Sequence, residues 1–196
     1  MTSATSTVTS TAGGMSPVGT PLGAPIGTGL AELIGRADAR GLAAAGLACL
    51  DRCLPLLAPA ERATEVLRPV WAAVARGDGA AWGTALAKVR AELGDGGAGG
   101  TAEALVRGML AGAPADWAEG PLRTWAGECS DAALAVHEHY DAKPGIGLLR
   151  AGELRRQQAV LESTAHGPTG LRRARELSAE GGRVLRAVVA RRARTA

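Results

Sequence analysis

The chain contains no phenylalanine, one tyrosine (Tyr140) and four tryptophans, so large rings cannot supply its core. Alanine, leucine and valine must do so instead, which demands elements that approach each other closely. Cysteine is scarce: Cys49, Cys53 and Cys129 make no even disulfide framework. Lysine is almost missing, with Lys88 and Lys143 the two examples among 22 basic residues. The longest uncharged apolar run past residue 40, GLAAAGLACL, stops at Asp51 and is too short to span a bilayer. The opening MTSATSTVTS has neither the basic nor the apolar region of a secretory signal. These absences predict a cytoplasmic protein with reduced thiols and no transmembrane segment.

Alternating β-branched runs are absent as well, which leaves strands without support. What remains is helical periodicity over a chain of 196 residues, long enough to bury one substantial core. The expected fold is all-α, a single bundle of about five to seven helices behind a disordered N-terminal head. Residues 1–29 form that head: they are rich in Thr, Ser, Gly and Pro and carry no charge. Residues 30–165 form the bundle, and 166–196 a basic amphipathic C-terminal helix packed on it or extending from it.

Within the bundle, LAAAGLACL is apolar nearly all round, the mark of a central helix. Pro69 predicts a kink or fresh start in the next helix. Trp82, Ala85, Leu86, Val89 and Leu93 repeat at three and four residues between a capping Asp78 and Gly94. The glycine-rich 95–100 is a loop, without the strand before it or the Gly-Lys-Ser/Thr after it that a phosphate cradle needs.

Chemistry concentrates in residues 116–142. On a helix, Leu122, Trp125, Cys129, Ala132, Ala133, Val136 and Tyr140 share one stripe, most simply a core face. A pocket between helices would draw its lining from Trp125, Cys129 and Tyr140. His137 and His139 diverge by roughly 200° on a helix, so one ion cannot take both. The pairings that helical geometry permits are His137 with Asp141 and Glu162 with His166, each one turn apart. Together these four could hold a metal between antiparallel helices, although the spacing departs from the Glu-x-x-His of helical di-iron sites. The plainer reading is a pair of surface ion pairs. Cys49 and Cys53, one turn apart, read as small core residues, and Cys129 sits between acidic neighbours that disfavour a thiolate. No Gly-x-Ser-x-Gly or Ser-x-x-Lys motif is present, which argues against an enzyme, and no cofactor is indicated.

Charge is unevenly spread. Residues 30–149 hold 11 basic and 15 acidic residues, whereas 150–196 hold 11 basic and 4 acidic. Either the two halves neutralise each other or the tail meets an acidic partner. Arg172, Arg173, Arg175, Arg183, Arg186, Arg191 and Arg192 are the candidate contacts. The tail has no aromatic residue for base stacking, so nucleic acid is possible but not favoured. Three functions follow in order: a non-catalytic helical interaction module that binds a protein partner or itself through helix–helix contacts, a small helical enzyme or ligand-binding protein, and a nucleic-acid accessory protein.

Overall fold

One helix has every residue of Gly41–Leu50 buried, and the remaining elements are arranged to cover it. The computed structural model describes residues 26–94, 99–142 and 147–195, together with Met1. In chain order the helices are α1 (Ile26–Arg36), α2 (Ala39–Cys53), α3 (Ala60–Arg76), α4 (Gly79–Leu93), α5 (Thr101–Gly112), α6 (Glu119–His139), α7 (Leu148–Thr164) and α8 (Gly167–Ala193). A 3-10 turn, Leu54–Leu56, follows α2 directly. The fold is all-α, with no strand among the described residues. The described residues form eight helices, α1 and α2 being separate: the Asp38 side chain accepts the Gly41 N–H at 2.8 Å and starts a new helix.

The expected head, residues 1–29, lies largely outside the described residues, but α1 begins inside it at Ile26. Residues 95–98 of the glycine-rich loop are also outside them. Helix α3 continues through Pro69 without the expected fresh start. It ends at Gly77, whose φ of 65° gives the left-handed cap that glycine adopts without strain. Asp78 caps α4 as expected, accepting the Ala81 N–H at 3.0 Å. No helix among the described residues is long and apolar enough to cross a membrane.

Helix α2 packs on α6, α7 and α8, and on α3 at its C-terminal end. Small residues make this possible. At Gly46 the Trp125 ring of α6 lies where a side chain would be, 2.5 Å from an added Cβ. Trp125 also stands edge-on to Trp82 at 5.6 Å, and Trp82 to Trp117 at 5.5 Å. The two buried indoles keep polar partners: Trp125 Nε1–H donates to Met109 O and Trp82 Nε1–H to Pro114 O, both at 2.8 Å. A chain poor in rings has placed three of its four tryptophans together.

Arginine closes helix ends. The Arg90 guanidinium reaches the carbonyls of Leu110, Ala111 and Ala113 at the end of α5. Arg123 donates to Ile34 O at 3.2 Å and Ala37 O at 3.4 Å at the end of α1. Arg192 donates to His139 O at 3.2 Å and Asp141 O at 2.8 Å at the end of α6. Each places a cation on the negative end of a helix dipole and satisfies carbonyls that have no partner in their own helix.

Gly46→Ala tests the close approach. Overpacking against a ring held on two sides should lower unfolding free energy by roughly 1–3 kcal/mol in urea titration. Gly127→Ala in α6 is the control: nothing lies within 4 Å of its added Cβ, and the helix should gain about 1 kcal/mol.

Candidate functional site

The residues expected to line a pocket are not brought together. Trp125 and Cys129 are closed within the core, whereas Tyr140 is the half-buried residue that follows α6, under the Arg192 guanidinium at 5.5 Å. Fifteen helical steps place Trp125 and Tyr140 roughly 22 Å apart along the axis. Burial pushes the Cys129 thiol well above its usual range, so it is an inert core residue rather than a nucleophile.

The four metal candidates also part company. Helix α6 ends at His139, before Asp141, so the one-turn relation of His137 and Asp141 does not hold. The Asp141 carboxylate instead accepts the backbone N–H groups of Leu149 at 2.9 Å and Arg150 at 3.0 Å, capping α7. Glu162 and His166 are exposed, and His166 Nδ1 lies 3.1 Å from the Glu162 carbonyl rather than its carboxylate. Among the described residues no three His, Cys, Asp or Glu side chains are arranged to hold a metal.

His137 faces a different partner, one that sequence spacing did not reveal. Arg52, at the end of α2, and Glu153, in the first half of α7, meet in the core with neither exposed to solvent. Arg52 Nε–H donates to both Glu153 oxygens at 3.0 and 2.8 Å, and Nη2–H to Oε1 at 2.6 Å. Gln157, one turn along α7, donates to Glu153 Oε1 at 3.0 Å and to Ser130 O at 3.2 Å, and accepts the Ser130 hydroxyl at 2.7 Å. Because a carbonyl can only accept, His137 Nδ1 carries the proton that bonds Ala133 O at 2.8 Å. Its Nε2 then faces Glu153 Oε2 at 3.6 Å.

The electrostatics follow from this geometry. Burial opposes the charge on Arg52, but the adjoining Glu153 outweighs it and holds the guanidinium above its usual pKa. Burial likewise works against ionised Glu153, and Arg52, by its charge and its hydrogen bonds and with the Gln157 amide donating beside it, keeps the carboxyl below the usual range. For His137 burial wins over the attraction of Glu153, so the imidazole is kept neutral. Burial pushes the Cys49 thiol, 3.3 Å from Arg52 Nη2, up to about 12. Solvent has no direct access to this cluster. It fixes how α2, α6 and α7 meet.

The open site lies on the other side of Arg52. Helices α3 and α8 both pack on α2 and the 3-10 turn without extensive contact between themselves. A groove of about 410 Å³ separates them, floored by Asp51, Pro55 and Trp71 and edged on α8 by Arg175, Arg183 and Arg186. Gly181 lets α8 descend to this depth: a Cβ there would lie 2.3 Å from Arg52 Cδ. Trp71 Nε1–H donates to Asp51 Oδ2 at 3.0 Å, and burial pushes the Asp51 carboxyl upward.

The seven candidate arginines of α8 therefore divide. Arg175, Arg183 and Arg186 line the groove, and among the described residues none forms an ion pair. Arg173 pairs with Glu176 of the same helix at 3.4 Å, and Arg192 is held by carbonyls. Arg172 and Arg191 are exposed and line no part of the groove. The acidic body does not neutralise α8 within the described residues. Comparison with known protein families, curated proteins and solved structures finds no match.

Removing one side of the buried pair should be costly. Glu153→Ala strands the Arg52 charge and should lose about 3–5 kcal/mol, most of it recovered in Arg52→Met/Glu153→Leu, as read by urea unfolding. Acid should act through the same cluster. A histidine with a lowered folded pKa is protonated first in the unfolded chain, so its contribution is full above about 6.5 and declines as pH falls below that value. Glu153, also lowered, contributes fully above about 4.3 and its share declines as pH falls through its folded value. Unfolding titrations from pH 8 to 2 should show both losses, and His137→Gln should remove the first while leaving the second.

Proposed function

We propose that this protein is a non-catalytic helical interaction module, and that the groove between α3 and α8 receives an acidic segment of a partner protein. The observation that carries this reading is the state of the α8 arginines. Three of them edge one groove, gathered between Arg175 and Arg186 of one helix, with no ion pair to a carboxylate among the described residues. A row of unpaired guanidiniums beside an apolar floor suits carboxylates carried on an amphipathic segment. The floor supplies burial through Pro55, Ala60 and the edge of Trp71.

The other readings have less behind them. The residues offered for an inter-helix pocket are spread along α6, and the titratable cluster that does exist is sealed. Nucleic acid would meet guanidiniums, yet no aromatic residue stands on α8 to stack a base.

A defined probe tests the proposal: a helical peptide with a leucine stripe flanked by glutamates, followed by fluorescence anisotropy. Binding should weaken with added salt, and Arg183→Glu/Arg186→Glu should reduce affinity at least tenfold without lowering the melting temperature. Equal affinity in that variant, or tighter binding of a single-stranded oligonucleotide than of the peptide, would refute the reading.

A further inference from the structure

We infer that the groove is sided, and that its occupant is a helix of about three turns carrying acids toward α8 and a basic residue toward Asp51 and Glu61. This rests on the proposed interaction role and specifies the charge pattern of the partner.

The two walls differ in sign. The α8 wall, from Arg175 to Arg186, offers three guanidiniums. The α3 wall, from Ala60 to Trp71, offers Glu61, and the floor beneath it offers Asp51. Each wall spans eleven helical steps, roughly 16 Å or three turns. A groove of about 410 Å³ accommodates the side chains of one helical face rather than a whole helix. Between the charged edges, Pro55, Ala60 and the edge of the Trp71 ring give a shallow apolar strip on which the stripe of an amphipathic helix can lie.

The acids of the groove are as available as its arginines. Glu61 is exposed and forms no ion pair among the described residues. Asp51 uses Oδ2 to accept the Trp71 N–H, and Oδ1 has no donor from the described residues. Arg52, its neighbour in sequence, turns inward to Glu153, and Arg175 lies near Asp51 without forming an ion pair. A uniformly acidic occupant would bring carboxylates over both of these groups, in a setting where Asp51 is already poorly solvated. One basic side chain on that flank replaces a repulsion with a pair, and it fixes which way round the helix sits. Residues 1–29 of the chain itself carry no charge of either sign and so match neither wall.

Two peptides of fifteen residues separate the possibilities, each with the same leucine stripe and the same glutamates on one flank. The first carries lysine on the other flank and the second glutamate there. The full chain should bind the first at least tenfold more tightly. In Asp51→Asn/Glu61→Gln that preference should vanish, while the amide oxygen at position 51 can still accept the Trp71 N–H and preserve the fold, as checked by circular dichroism and melting. If the wild-type chain binds the all-acidic peptide as tightly, or the double variant keeps the preference, the sidedness is refuted. Loss of all-acidic binding in Arg183→Glu/Arg186→Glu together with an absent preference refutes the sidedness alone. If neither peptide binds, or the arginine substitutions leave both affinities unchanged, the parent reading falls with it.

Discussion

A guanidinium at the end of the most buried helix is the constraint from which much of this structure follows. Arg52 cannot stay charged beneath α6, α7 and α8 unless an anion is brought to it, and Glu153 is that anion. Their bidentate contact sets the depth and rotation of α7, and Gln157 and Ser130 extend the same hydrogen-bonded set to α6. An isolated buried ion pair is seldom a large net stabiliser, because both charges lose their water. Its value here is selectivity. In a core of alanine and leucine, where many packings have similar energy, one bidentate pair distinguishes the right register from its neighbours.

Arginine serves four distinct purposes in this chain, and the purposes explain its excess over lysine. A planar fork suits the bidentate grip on Glu153. It also suits the several divergent carbonyls at the ends of α1, α5 and α6, which a single ammonium would satisfy less completely. The groove holds a third set. The remainder are solvated or paired at the surface, within a helix as Arg173 is or between helices as Arg62 is with Glu92 and Arg150 with Glu138. Net charge alone conveys none of this division, since the same count would arise from a uniformly basic surface.

The fold class was legible in the sequence because periodicity reports burial. Gly41–Leu50 has no polar face, and it is the central helix; the Leu122, Trp125, Cys129, Val136 stripe points inward. The chemistry was much less legible. Helical spacing relates residues on one element, so it paired His137 with Asp141, whereas the contact that matters crosses from α2 to α7 over 101 residues. Helix α7 hid its role because its inward face carries Glu153 and Gln157 among Leu154, Val160 and Leu161, which blurs the apolar stripe. The one local signal was Arg52 itself, a charge at the end of a helix with no surface to offer it. The groove had no signature at all, being made by two helices that avoid each other.

The glycine at 181 gives that groove a dimension that variation can adjust. Because Gly181 rests on the Arg52 stem and Gly182 lies 3.7 Å, at its would-be Cβ, from Pro55, α8 settles as low as a backbone can. A side chain at Gly181 would meet the Arg52 stem and lift the helix, raising the arginine edge relative to the Trp71 floor, whereas a methyl at Gly182 would make ordinary contact. The distance between charged rim and base thus depends on one residue, Gly181, that does not line the groove itself. Enlarging position 181 alone would therefore change the depth of the groove without altering any residue that lines it.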